Sequence, residues 1–291
     1  SIVWRCVESA RQKNIHGAEV VMCTFNNDRL LLKHTQFVNN TDVFRFKQVQ
    51  RYFSQVEELI IHLPEYACPY FLEYLSASDK VWLKGMKNFH INILNQNIRL
   101  MPGIEVIVQL KELAQKVTAT TAHQRYCNGD YRQQFGVPLH KFSVWISPEK
   151  YFFKKYADKE NLIIVSPDKR PEKEAVLNAL SAIPGLKVQI IQNLTYEQYK
   201  EVISRAKWAL TFGEGLDGYI IEPIFSGAIG FAVYNEEFFT PDFNGLSTIY
   251  SSYDEVLQKF VKDIQQLKNE QAFTALQKEQ FDICARYYSQ D

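Results

Sequence analysis

Glycines and carboxylates alternate in residues 211–235, TFGEGLDGYIIEPIFSGAIGFAVYN. An apolar run ends at Gly213, and two glutamates, Glu214 and Glu222, follow in a segment that is otherwise largely apolar. Glycines let the backbone approach a ligand closely, and the start of a helix offers free N–H groups and a positive dipole end. Because one carboxylate can accept two hydroxyls, Glu222 suits the vicinal diol of a ribose. The alternative is a structural carboxylate with a partner inside the fold.

Three cations follow an earlier apolar run, in SPDKRPEK at residues 166–173. They are Lys169, Arg170 and Lys173. Arginine grips phosphate through two hydrogen bonds, and lysine acts as a point charge. Alone, such a cluster is also typical of a solvated helix start. We call residues 213–218 the glycine loop. In a parallel sheet, the loop that carries the cations and the glycine loop would lie at the same edge, where cations and glycines could face one diphosphate.

Strands and helices alternate along the chain, and the strands are predicted as near-continuous apolar runs. This pattern is typical of a parallel sheet that is covered on both faces. It restarts near residues 147–160, so we predict an α/β protein with two Rossmann-like, doubly wound domains at 1–150 and 151–291. The strands are predicted at AEVVMCTF, VEELIIHL, FHINILNQN, KVTATTA, NLIIVSP, KVQIIQN, WALTF and IGFAVYN. The helices are predicted at SIVWRCVESARQKNIHG, within residues 27–55, at CPYFLEYLSA, in RLMPGIEVIVQLKELAQ after a loop, and at HQRYCNGDYRQQFG, PEKEAVLNALSAIPG, TYEQYKEVISRA, YIIEPIFSGA and the C-terminal tail.

The glutamate segment has the order E-G-x-x-G-x-x-x-E-P-x-x-x-G-A. This order resembles the C-terminal motif of the retaining glycosyltransferases of family 4, which have the GT-B fold of two domains facing a cleft. The matching residues are Glu214, Gly215, Gly218, Glu222, Pro223, Gly227 and Ala228. PEK at 171–173 resembles the family's Arg/Lys element. The resemblance covers residues 160–290 well, and residues 1–150 only as a pattern of elements.

The resemblance implies a role for each of these residues. Glu222 would hold the ribose hydroxyls of a nucleotide-sugar, and Glu214 would contact the transferred sugar. Lys173 would neutralise the diphosphate together with Lys169 or Arg170, and the choice between these two stays open. The remaining donor contacts would come from Gly213, Gly215, Leu216, Asp217 and Gly218. Members usually need no metal, and the sequence has no Asp-x-Asp pair, so we expect no metal and no cofactor beyond the nucleotide-sugar substrate.

The acceptor side has weaker candidates, which follow two predicted strands of the first half. They are the amides of Asn95, Gln96 and Asn97, and His123 in TTAHQRY. We assign catalytic contacts to Asn97 and His123, in addition to Glu214. Ordinary turn chemistry explains the amides equally well, and His123 could be a capping or surface residue. His62, in IHLPEY, is a comparable candidate.

The sequence departs from the family pattern in five places, two of which are an extra residue in the cation element and the absence, at INILNQN, of the histidine that members often have after an N-terminal strand. The glycine-rich loop that usually follows the first strand is absent, because the chain begins at what would be the first helix. The chain also ends where a last crossover helix is expected, so we expect missing segments at both ends. Asp217 stands where members often have a glycine or an apolar residue.

Composition narrows the class of protein. The net charge is zero over 291 residues, which gives no argument for nucleic acid. The first half carries an excess of Lys and Arg and the second an excess of Asp and Glu, by chance or because the halves have different partners. The five cysteines have no C-x-x-C spacing, which argues against disulfides and zinc. We therefore expect a cytoplasmic protein, with the basic half touching the inner face of an anionic membrane.

Three functions are compatible with these features. The first is retaining transfer of a sugar from a nucleotide-diphosphate donor to a glycan or lipid-linked acceptor in surface polysaccharide synthesis. The second is a GT-B-like binding or partner subunit without turnover, which the missing loop and the amide-rich edge favour. The third is a nucleotide-sugar epimerase, which would interconvert donors without an acceptor.

Overall fold

A computed structural model describes residues 17–25, 43–121, 123–141, 146 and 148–288, together with Val7, Ala10, Arg11 and Asn14. The chain forms two compact units, and the first gives way to the second near residue 145. Each unit is built on parallel strands with helices between them, which confirms the predicted α/β class with two parallel-sheet units.

The first unit contains two parallel sheets. The smaller pairs β1 (Met22–Thr24) with β2 (Val43–Arg45). The larger has the order β3 (Glu58–Pro64), β4 (Asn88–Asn95), β5 (Lys116–Thr121) and β6 (Leu139–Lys141). The helices described in this unit are α1 (Phe46–Tyr52), α2 (Cys68–Tyr74), α3 (Ala77–Lys84), α4 (Ile104–Leu113) and α5 (Gly129–Phe135).

The core of the first unit lies on one face of the four-stranded sheet. Side chains alternate between the two faces of a strand, and one set, which includes Leu63, Ile93 and Ala119, is fully buried. The opposite face of β4 and β5 is polar apart from Leu94, so the prediction of strands that are apolar on both faces is wrong for this sheet. A hydrogen-bonded row on that face consists of His62, His90, Asn92, Thr118 and Thr120.

The second unit has a single five-stranded parallel sheet in the order β11-β10-β9-β7-β8. Its strands are β7 (Glu160–Val165), β8 (Lys187–Ile190), β9 (Ala206–Leu210), β10 (Ile229–Val233) and β11 (Ile249–Tyr250). Its helices are α6 (Lys173–Ser181), α7 (Tyr196–Arg205), α8 (Gly218–Phe225), α9 (Tyr253–Gln266) and α10 (Glu270–Tyr288). β7, β9 and β10 are almost wholly buried, as apolar runs predict.

This strand order defines where a ligand should bind. The chain places β8 on one side of β7 and then returns to place β9 on the other side. The direction of winding therefore reverses between β7 and β9. In flavodoxin-like sheets of this order, the ligand crevice lies outside the carboxyl ends of the two strands at the reversal.

Most predicted elements have counterparts in the structure. Thr195 caps α7 with a full capping box, and Pro69 lies in the first turn of α2. The sequence analysis missed α3 and the short strands β2, β6 and β11. Most of the helix predicted at the N-terminus lies outside the described residues. None of the described helices combines the length and the apolar character needed to cross a bilayer.

Candidate functional site

The carboxyl ends of β7 and β9 are joined by hydrogen bonds at the reversal of the second sheet. Ser166 N donates to Leu210 O at 3.0 Å, and Phe212 N donates to Ser166 Oγ at 2.8 Å. Ser166 is 1% exposed. The loop after β7 and the loop after β9 therefore start from one fixed point.

Two of the predicted cations are held against the loop that follows β9. Arg170 Nε donates to Phe212 O at 3.1 Å. Lys173 Nζ donates to Ser166 O at 2.6 Å and to Asp168 O at 2.9 Å, and it lies 5.5 Å from the centre of the Phe212 ring. Burial lowers the pKa of Lys173, and the nearby Asp168 carboxylate opposes that shift. Lys169 is exposed and makes no side-chain hydrogen bond to a described residue. The structure thus brings Arg170 and Lys173, but not Lys169, to the glycine loop.

The glycine loop has a backbone that only glycine tolerates at one position. Gly215 has φ of +120°, and a Cβ there would run into the ring of Phe239. Leu216 beside it is buried, whereas Glu214 is exposed. A Cβ on Gly213 would meet Asp217 Oδ2 at 2.5 Å and Asp168 Oδ2 at 3.2 Å. Two carboxylates from two loops therefore lie against the same glycine.

Asp217 occupies the start of α8. Its Oδ1 accepts a hydrogen bond from Tyr219 N at 2.8 Å, and its Oδ2 accepts one from Thr211 Oγ1 at 3.3 Å. Burial raises the pKa of Asp217 to about 7, and the charges of Asp168 and Glu222 act in the same direction. The N-terminus of α8, whose free N–H groups would suit a phosphate, is therefore capped by the carboxylate of Asp217.

Glu222 lies one turn further along α8 and is 2% exposed. Its carboxylate folds back toward Gly218, where an added Cβ would lie 3.1 Å from Glu222 Oε1. Tyr199 from α7 donates to Gly218 O at 3.1 Å. Burial raises the pKa of the Tyr199 hydroxyl, and the charge of Glu222 raises it further. The glutamate therefore lies beneath the helix start, beside Asp217 and Tyr199.

The acceptor-side candidates come together at the carboxyl edge of the first sheet. Asn97 Oδ1 accepts from Arg99 N at 3.0 Å, which caps a short 3₁₀ turn. His123 Nε2 lies 3.3 Å from Gln96 O. Burial lowers the pKa of His123, and the contact with Gln96 opposes this shift, so the ring is neutral near pH 7. His62 belongs instead to the polar row on the sheet face, where it contacts Asn92 at 3.1 Å.

Sequence reasoning missed several residues at these two edges. Ser166 and Asp168 lie in the loop at residues 166–173, called the cation loop here, in which the sequence analysis assigned roles only to the lysines and the arginine. Glu65 follows β3 and accepts hydrogen bonds from Gln96 N and Asn97 N, each at 3.1 Å. The alternation of β3 could have identified Glu65, because it continues the buried row that runs through Leu63.

Within the described parts of the chain, no three His, Cys, Asp or Glu side chains are grouped in a way that could hold a metal ion.

Comparisons with known proteins give remote structural neighbours. No protein-family profile matches the sequence, and no curated protein matches it. A chain of the Glycosylation Associate Protein (Gap123) complex from Streptococcus agalactiae aligns at 11% identity and a TM-score of 0.49, over 83% of this chain and 55% of that one. TarM of S. aureus aligns at 12% identity and a TM-score of 0.47, over 76% and 55%. A chain of the GtfA/B complex bound to UDP and GlcNAc aligns at 11% identity and a TM-score of 0.39, over 84% and 56%. This chain spans little more than half the length of each.

Proposed function

We propose that this chain transfers a sugar, with retention of configuration, from a nucleotide-diphosphate donor to a glycan or lipid-linked acceptor. The observation that carries the proposal is the convergence of Arg170, Lys173 and the glycine loop at the winding reversal between β7 and β9. The order of the glutamates, which resembles that of the family 4 enzymes, supports the same reaction.

The cations suit a leaving diphosphate. Lys173 is fixed by two carbonyl oxygens and Arg170 by a third, so neither cation has to reorganise as charge develops on the phosphate. Donors that are fixed before the reaction stabilise the transition state more than the ground state. The guanidinium of Arg170 bonds Phe212 O through Nε, and its remaining N–H groups could bind phosphate oxygens. Transfer by this route uses no metal.

The carboxylates suit hydroxyls. Glu214 is exposed on the loop, where it could accept hydroxyls of the transferred sugar. Glu222 lies under the start of α8, and its contact with a ribose requires the donor to enter between this helix start and the cation loop. Asn97 and neutral His123 are proposed to serve the acceptor from the first unit.

Replacement of Glu222 by glutamine tests the donor site. We expect Glu222→Gln to weaken binding of nucleoside diphosphates about tenfold and to reduce sugar transfer further, because the amide accepts fewer hydroxyls than the carboxylate. Isothermal titration with UDP, GDP and ADP measures the first effect, and product formation from the corresponding sugars measures the second. Glu201→Gln, an exposed change on α7, is the matched control. Unchanged binding and turnover in Glu222→Gln would remove the central assignment.

A binding or partner subunit without turnover is the second candidate. The specific observation in its favour is Asp217, whose carboxylate already caps the helix start that a diphosphate would use. This candidate predicts neither hydrolysis nor transfer by the full-length protein with any nucleotide-sugar, even where nucleotides bind. Detectable donor hydrolysis eliminates it.

The first half of the chain carries an excess of Lys and Arg, which would attract it to an anionic surface. We propose that the protein works in the cytoplasm and that the basic residues of its first half touch an anionic membrane surface. Co-sedimentation with phosphatidylglycerol vesicles should fall as salt rises, whereas co-sedimentation with phosphatidylcholine vesicles should be absent. Equal binding to both vesicles would exclude this contact.

A further inference from the structure

The buried rows of three neighbouring strands in the first unit end in polar side chains. Pro64 pairs with Leu94, and Leu94 pairs with Thr120, so the carboxyl ends of β3, β4 and β5 lie side by side. Beyond the apolar part of each row, the next residue in the alternation is polar. These residues are Glu65, Asn95 and Thr121, each 1% exposed.

Two of these side chains have acceptor atoms without donors. Glu65 Oε1 accepts from Gln96 N and Asn97 N, but Glu65 Oε2 is buried and has no hydrogen-bond partner among the described residues. Asn95 Nδ2 donates to Asn97 O at 2.9 Å, whereas Asn95 Oδ1 is likewise buried without a partner in the described chain. Both acceptors belong to side chains that are bonded to the same turn after β4.

Such atoms are costly in a folded protein. A buried acceptor without a donor costs about 1–3 kcal/mol, and an apolar side chain at the same place would avoid that cost. The polar row on the opposite face of this sheet shows the usual solution, since Asn92 bonds His62, Thr118 and Thr120 at once. The edge is therefore short of hydrogen-bond donors, which a ligand can supply.

We propose that this edge is a binding site for an uncharged, hydroxyl-bearing group, such as the end of a sugar or polyol. Its hydroxyl hydrogens would be accepted by Glu65 Oε2 and Asn95 Oδ1, and His123 contacts the same turn through Gln96 O at 3.3 Å. The assignment rests on the proposed function, in which this group is the acceptor. An anion would meet the Glu65 carboxylate, which has no Lys or Arg within ion-pair distance among the described residues. An ammonium would find only one charged partner, since the Asn95 amide and the His123 ring are neutral.

Glu65→Gln is the sharpest test. The glutamine carbonyl can still accept the two N–H groups of the turn, while its NH₂ group replaces Oε2 and turns the free acceptor into a donor. We would titrate the full chain with methyl α-glucoside, methyl α-galactoside and methyl N-acetyl-α-glucosaminide, and follow binding by saturation-transfer NMR. At least one neutral glycoside should bind, and Glu65→Gln should weaken that binding about tenfold or more. Glu57→Gln, an exposed glutamate of the same unit, is the matched control.

Three results would overturn the proposal. They are no binding of any neutral glycoside to the wild type, unchanged binding in Glu65→Gln, and tighter binding of a glucuronide or of glucosamine than of the neutral glycoside. Amide exchange at Gln96 and Asn97 checks that the turn survives. If Glu65→Gln loosens the turn, Asn95→Leu removes the other acceptor, and unchanged glycoside binding in that variant is then decisive against the site.

The two proposals can fail separately. Glu65→Gln should leave UDP affinity unchanged, and Glu222→Gln should leave glycoside binding unchanged. Loss of glycoside binding in Glu65→Gln, with no nucleotide bound at the second unit, would refute the donor site and leave the edge site standing. The reverse pattern would refute the edge site alone.

Discussion

The two units place polar groups at the carboxyl edges of their sheets in different ways. At the second edge, Lys173, Arg170 and Ser166 are all tied to the backbone of their own or the neighbouring loop. At the first edge, Glu65 and Asn95 are tied by half of their polar atoms and leave the other half buried without donors. The cations and Ser166 of the second edge are therefore already bonded, although Asp168 Oδ2 is buried there without a partner among the described residues, whereas at the first edge both Glu65 and Asn95 have acceptors without donors.

This difference separates what each edge contributes to folding and to binding. Hydrogen bonds that are already formed at the second edge contribute to the stability of that unit. Unsatisfied acceptors at the first edge lower the stability of the first unit, and a bound ligand that donates hydrogen bonds to them would restore that stability. Loss of Ser166 at the second edge should therefore cost more stability than loss of Asn95 at the first edge.

The largest effect is expected at Lys173. Lys173→Met removes a cation that is fixed at the winding reversal, and we expect kcat/KM for sugar transfer to fall about 100-fold. Lys169→Met should change it less than about threefold, because Lys169 is exposed and makes no side-chain hydrogen bond to a described residue. Steady-state kinetics with the best nucleotide-sugar measures both effects, and Lys262→Met on α9 is the control. Equal losses at 169 and 173 would mean that the second edge is not fixed as described.

A smaller effect is expected from Asp217 as the pH changes. Its pKa lies at about 7 in the folded chain, against an ordinary value of 3.8. The folded state therefore holds more protons than the unfolded state between these values, and its stability falls as pH rises through that window. The full shift corresponds to about 4 kcal/mol, and the exposed part of the side chain reduces our expectation to about 2 kcal/mol.

Asp217→Asn isolates this contribution, since asparagine also caps helices well. Urea unfolding at pH 5 and pH 8 should show a smaller loss of stability in Asp217→Asn than in the wild type. Parallel pH profiles of the two proteins would contradict the burial of this carboxyl.

The smallest effect compares the two edges directly. Ser166→Ala leaves Phe212 N without its acceptor and should lower the free energy of unfolding by about 1 kcal/mol. Asn95→Leu removes an unsatisfied amide oxygen from the first edge together with the hydrogen bond from Asn95 Nδ2 to Asn97 O, so the gain and the loss oppose each other and stability should change by less than about 1 kcal/mol. Thermal and urea unfolding measure both variants. Strong destabilisation by Asn95→Leu would show that the first edge is as self-sufficient as the second.

The sequence predicted local features whose causes are themselves local. The helix that follows Thr195, the glycine loop before α8 and the restart of the strand–helix alternation all depend on neighbouring residues, and all appear in the structure. The helix α3 was predictable in the same way, since Ser76 and Asp79 form its capping box.

Features that depend on distant residues were not predictable. The residues around Glu222 in the sequence do not indicate that Tyr199 will lie beside the start of α8. The position of the Asp217 carboxylate likewise depends on a hydrogen bond from Thr211 across the loop. The fixation of Arg170 by Phe212 joins residues 42 positions apart and follows from the order of the strands. Pairs of this kind become visible only when the sheet topology is known.

The ring of Phe239 gives the glycine loop a mechanical link to a remote part of the second unit. It fills the place of the absent side chain at Gly215, stacks on Tyr234 and meets Phe243 edge-on, all in the connection between β10 and β11. Any rearrangement of the loop must displace this ring and the connection that carries it. A fluorine label on Phe239 would therefore report movement of the glycine loop from a position that need not contact the nucleotide-sugar.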